Sequence, residues 1–122
     1  MAIRNAAERK SLATKYGTDA PYGTLFTADP GTSGAATNEL TGGSPAFARK
    51  ALSWSAPVTT GSTEVITATA TFDIPAGTSV AYAGVAATGT LTTADVKDSV
   101  TAVYNSQPTQ GTFTVTFTYT QS

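Results

Sequence analysis

From Thr112 to Thr120 the chain alternates threonine with Phe113, Val115, Phe117 and Tyr119 without an error. Successive side chains of a strand point to opposite faces, so this period of two sorts every large apolar residue onto one side. A helix would scatter the same residues around its circumference. Residues 64–74 repeat the pattern, with Ile66, Ala68, Ala70, Phe72 and Ile74 against Thr67, Thr69, Thr71 and Asp73. Two long half-buried strands require a second layer to cover their apolar side, which points to an antiparallel β-sandwich.

The other segments fit this class. Residues 23–28, 46–54, 79–87 and 98–104 read as strands, and 90–96 as a strand or a turn of helix. In 79–87, Val80, Tyr82, Gly84 and Ala86 are expected on one side, and Gly84 marks a close backbone approach. Pro75-Ala76-Gly77-Thr78 and Gln107 to Gly111 are turns. Near the N-terminus, Ile3, Ala6, Ala7, Leu12, Ala13 and Tyr16 approximate a helical stripe over 2–16, with Arg4, Glu8, Arg9 and Lys15 off it. Gly17 is placed to end that helix. The expected organisation is an N-terminal helix or arm over 1–20 and one mainly β domain over 21–122. The sandwich is the first architecture and an open β-barrel the alternative.

Between the first two strands, Asp29 to Pro45 forms a long loop bounded by Asp29-Pro30-Gly31 and Gly42-Gly43. Loops beyond about 12–15 residues are uncommon in compact domains and usually carry function or disorder. This one is the expected contact surface, with a plain mobile loop as the alternative.

Chemistry is scarce. The chain has no histidine and no cysteine, which removes the commonest general base, the commonest nucleophile, zinc sites built on these residues, and disulfides. Asp29 and Glu39 share the loop, but the surrounding sequence lacks the dense oxygen-ligand spacing of a calcium site. The Gly-rich stretches at 31–34 and 41–44 lack the lysine of a phosphate loop. No enzyme activity and no cofactor are expected. Phe113, Phe117 and Tyr119 suit a core better than a sugar platform, because their alternation with threonine is strict.

Charged residues are 12% of the chain, about half the usual share of about 25%. Threonine, serine and glycine supply the missing polarity, and an uncharged threonine face meets another subunit at low desolvation cost. The net charge of −1 argues against broad binding to nucleic acid or to a membrane surface. The charge is uneven: Arg4, Arg9, Lys10, Lys15, Arg49 and Lys50 precede residue 51, and Lys97 is the one base after it. A basic N-terminal arm suits an acidic partner, and a solvated helix face explains it equally well. Neither a signal peptide nor a run of eighteen apolar residues is present, so synthesis in a cytoplasm is expected.

The block LFTADPGTSGAATNELTGGSPAFARKALSW, residues 25–54, resembles a family of small structural proteins from phages of actinobacteria. Asp29, Pro30, Gly31, Gly34, Glu39, Gly42, Gly43, Ala48 and Arg49 fall in register with the family pattern. Asn5-Ala6-Ala7 and the block Phe72-Asp73-Ile74-Pro75-Ala76-Gly77-Thr78-Ser79-Val80, followed by Gly84, extend the similarity. Phe26 and Phe47 stand where the family has His and Tyr, which keeps packing and loses a polar handle.

The resemblance implies a virion component; similar sequences are labelled tail-fibre, minor tail or head decoration proteins. The leading expectation is a capsid decoration (minor capsid) protein on the outer head surface. Its partners would be the major capsid protein and copies of itself, in a homotrimer or another symmetric cluster. A minor tail, baseplate or tail-fibre protein is the alternative, and a host-glycan-binding module comes third. Ile3, Arg4, Arg9, Lys10, Asp29, Glu39 and Arg49 are the expected assembly contacts. Arg49 is expected to pair with Glu39 and pin the loop.

Overall fold

The computed structural model describes residues 3–122. One helix, α1 (Ala6–Asp19), precedes seven strands: β1 (Tyr22–Phe26), β2 (Lys50–Ala51), β3 (Val58–Thr60), β4 (Thr63–Ile74), β5 (Val80–Ala86), β6 (Val96–Tyr104) and β7 (Gly111–Gln121). They form two sheets, ordered β2-β1-β5-β6 and β3-β4-β7, and every pairing is antiparallel. The chain is therefore a β-sandwich with a short N-terminal helix.

The two alternating segments pair with each other along their whole length, from Glu64 opposite Gln121 to Ile74 opposite Gly111. Ile66, Ala68, Ala70, Phe72, Ile74 and Phe117 are buried. Their threonines face outward, where Thr69 bonds Thr116 at 3.0 Å and Thr71 bonds Thr114 at 2.9 Å. Leu25, Val80, Ala83 and Val85 meet this layer from the other sheet, and Leu40, Phe47 and Leu52 fill the remaining interior. Phe47 stacks on Phe72 with ring centroids 5.8 Å apart.

At twelve residues, β4 runs about 40 Å at 3.3 Å per residue, longer than any strand that could cover it. The helix covers the surplus by packing on β4 and β7 of its own chain. Asn5 caps its start by accepting from the Glu8 N–H at 3.2 Å, and Glu8 sits in the first turn, where the helix dipole favours an acid.

Three local expectations are corrected. Gly17 lies inside α1, which closes instead at Ala20, whose N–H donates to Tyr16 O at 3.0 Å. A Cβ on Gly17 would stand 3.1 Å from the Trp54 ring, so this glycine serves packing. The helix buries Arg9 and Ala13 while Ala6 and Ala7 are exposed, so Arg9 lies on the packed face. In β5 the side facing the sandwich core changes after Val80: Ala83 and Val85 join Val80 there, Tyr82 is half-buried, and Gly84 and Ala86 are buried on the opposite face.

Of the expected strand over 46–54, only Lys50–Ala51 forms a strand, at the edge of its sheet, and Ala46 makes an isolated bridge to Gly43. Beyond it the chain crosses to the other sheet, where Ser55 exchanges bonds with Thr67 at 2.8 and 3.0 Å, and then forms the unforeseen β3. Residues 87–95 are irregular.

Candidate functional site

The long loop after β1 is ordered over the outer face of the β2-β1-β5-β6 sheet. Thr27 N–H donates to Asn38 O at 2.9 Å, Leu40 N–H to Leu25 O at 3.0 Å, and Val96 N–H to Gly34 O at 3.1 Å. At its far end Gly42 and Gly43 adopt φ +89° and +96°, which glycine reaches without a Cβ clash. There Gln110 accepts from Ser44 N–H at 3.3 Å and donates to Pro45 O at 3.1 Å.

A buried ion cluster holds the loop in place. Glu39 and Arg49 each have fully buried side chains, and Arg49 Nε donates to Glu39 Oε2 at 2.8 Å. The expected pair therefore forms. Arg49 also donates from Nη1 to Asp95 Oδ1 at 2.7 Å and Thr88 O at 2.9 Å, and from Nη2 to Thr93 O at 3.0 Å and Glu39 Oε1 at 3.3 Å. Every N–H of the guanidinium fork is used, a demand only arginine can meet. Glu39 further accepts from the Thr24 hydroxyl and from Thr92 N–H, the latter at 2.6 Å. Three distant parts of the chain, the loop, the approach to β2 and the 87–95 turn, thus meet at one guanidinium.

Electrostatics within the cluster favour its charged state. Burial works against the Arg49 charge, but its hydrogen bonds and the charges of Glu39 and Asp95 outweigh that and raise its pKa. Burial likewise pushes the Asp95 pKa up, and the Thr88 and Arg49 hydrogen bonds with the Arg49 charge hold it below the ordinary aspartate value.

A second buried pair anchors the N-terminal arm. Arg9 Nη2 lies 3.5 Å from Glu64 Oε2, with side-chain exposures of 5% and 0%. Arg9 Nη1 donates to Ile3 O and Arg4 O, both at 2.8 Å, and Glu64 accepts from the Thr59 hydroxyl at 2.6 Å. The residues before the helix are thereby drawn onto β4. Nearby, Tyr16 stacks on Tyr119 at 3.8 Å between centroids and donates to Asp98 at 3.1 Å. Burial, then the Asp98 charge, raises the Tyr16 pKa well above the ordinary phenol value.

Arg9, Glu39 and Arg49 therefore spend their charges inside the protein, and neither arginine presents its guanidinium to a partner in this fold. Arg4, Lys10 and Asp29 are exposed, and Ile3 is half-buried. Asp29 closes a turn, accepting from Gly31 N–H at 2.8 Å. Asp95, Thr24, Thr88, Thr92 and Thr93 are the cluster members that sequence reasoning missed. A carboxylate in a turn reads as solvated until the fold brings an arginine 46 positions away against it.

Among the described residues, no group of three or more acids that could hold a metal is found, and no helix is long and apolar enough to cross a membrane. A cavity of about 340 Å3 opens between β6 and β7, lined by residues such as Trp54, Ala83, Val100, Val115 and Phe117. Its polar wall includes Tyr16, Asp98 and Ser99. Comparison with protein-family models, curated proteins and solved structures gives no match for the chain.

Proposed function

We propose that this protein is a structural component of a tailed-phage virion, most specifically a capsid decoration protein that binds the outer head surface and reinforces the shell. Its partners are the major capsid protein and further copies of itself in a symmetric cluster, and it acts without catalysis or cofactor. One observation carries the reading: two charged residues of the phage-like block, Glu39 and Arg49, are buried in a saturated cluster that stiffens a surface loop. A signature used in this way serves shape, and a durable shape is what a shell component needs. The outward threonines of β4 and β7 support it further, as an uncharged wall that a neighbouring subunit can cover at low desolvation cost.

The test is the copy number of the protein in purified particles, by mass spectrometry against the major capsid protein. A ratio near one, or one-half, supports the head position. A ratio of a few per hundred replaces it with a minor tail or baseplate role, and absence from the particle overturns the structural reading.

A further inference from the structure

Four strands bound the two sheets, and three of them are blunted against pairing with other chains. β2 has two residues and β3 has three. β6 carries Lys97 and Asp98, and its pairing with β5 is interrupted by two register shifts. Short length, charge and bulges are the devices by which edge strands avoid each other. β7 has none of them. It offers eleven residues with no charge and no proline, in unbroken register with β4. An edge of this kind carries a row of unpaired N–H and C=O groups and is a template for a further strand.

The same side of the sandwich is unsealed. Val100 is the register partner of buried Ala83, yet it is 59% exposed. Val115 faces inward and stays half-exposed. Both border the cavity between β6 and β7. On the opposite side, residues 50–60 cross between the sheets and close the gap.

We infer that the free edge of β7 is a self-association surface and that its occupant is β7 of a second copy, paired antiparallel about a two-fold axis. The strand complements itself. A register centred on Thr116, the midpoint of Gly111–Gln121, sets threonine against threonine on the outer face and apolar against apolar within. No like charges meet across the seam. The threonine–threonine bonds that already join β7 to β4 give the chemistry of the outer face. The pairing deepens the self-association in the proposed function by giving it a surface. It rests on that reading only for the biological use of the dimer.

The experiment is sedimentation velocity of the full chain over a range of concentrations, with hydrogen exchange of the 112–120 amides on the same samples. The expected result is a doubling of the 12.4 kDa mass with concentration, accompanied by rising protection of β7 amides. Thr116→Lys places like charges opposite each other at the axis and should return the mass to that of one chain with an unchanged circular dichroism spectrum. Should that variant misfold, the wild-type exchange data decide alone. A wild-type chain that stays monomeric, or an oligomer whose β7 amides gain no protection, overturns the inference. Absence from virions would overturn the function above and leave the edge pairing standing.

Discussion

Replacing Arg49 by alanine removes one side chain and strands another. Glu39, with no exposed side-chain surface, keeps only Thr24 and Thr92 as donors, and Thr88 O and Thr93 O lose theirs. The 87–95 turn is largely exposed, so water can replace the donor at Asp95 and at the carbonyls. Glu39 cannot be hydrated without opening the loop. Breaking a buried pair by removing one partner costs about 3–5 kcal/mol. The expected loss is therefore about 4 kcal/mol, equivalent to a fall in Tm of roughly 12–20 °C for a domain of this size. Urea and thermal unfolding followed through Trp54, the single tryptophan, measure it. The Arg49→Met/Glu39→Gln double variant should recover much of the loss, since it removes the fully buried carboxylate charge and leaves only Asp95, which reaches water. Arg49→Lys should fall between, because an ammonium cannot span two carboxylates and two carbonyls. A loss below about 1 kcal/mol for Arg49→Ala would refute the view that this cluster clamps the loop.

Other perturbations give further expectations. Asp95 has a lowered pKa in the folded state, so its contribution is present above the unfolded value of about 3.9 and lost as pH falls through the folded one. Urea midpoints should accordingly drop below about pH 4, and Asp95→Asn should flatten that part of the profile. Gly84→Val would place a Cβ 2.7 Å from the Phe26 ring and 2.9 Å from Asp98 O, with a cost of about 1–3 kcal/mol in chemical denaturation. Arg9→Ala should cost about 3 kcal/mol by leaving Glu64 buried, and should speed exchange of the first amides of the helix.

The mainly β fold was legible because β4 and β7 keep a strict period of two over most of their length, a pattern no helix accommodates. The Glu39–Arg49 pair was legible through its sequence block. Arg9 escaped because a basic residue on a short helix ordinarily marks the wet face, and only the buried Glu64 reverses that. The inward face of β5 escaped because both faces of the strand are buried, and Ala, Val and Gly all tolerate either one. Segment 46–54 carries apolar residues for the core, but three of its buried side chains, Phe47, Arg49 and Leu52, come from irregular backbone. Burial alone therefore does not announce a strand.

The paired threonines across β4 and β7 have a property that no charged or amide surface shares. In the bonds Thr69–Thr116 and Thr71–Thr114 either hydroxyl can donate. Each hydroxyl carries one proton and two lone pairs, so turning a C–O bond converts a donor into an acceptor without moving a heavy atom. The wall thus has no fixed polarity: a carbonyl arriving from outside meets a donor, and an amide meets an acceptor. A surface written in hydroxyls can serve several neighbours in unlike surroundings while its heavy atoms keep one arrangement.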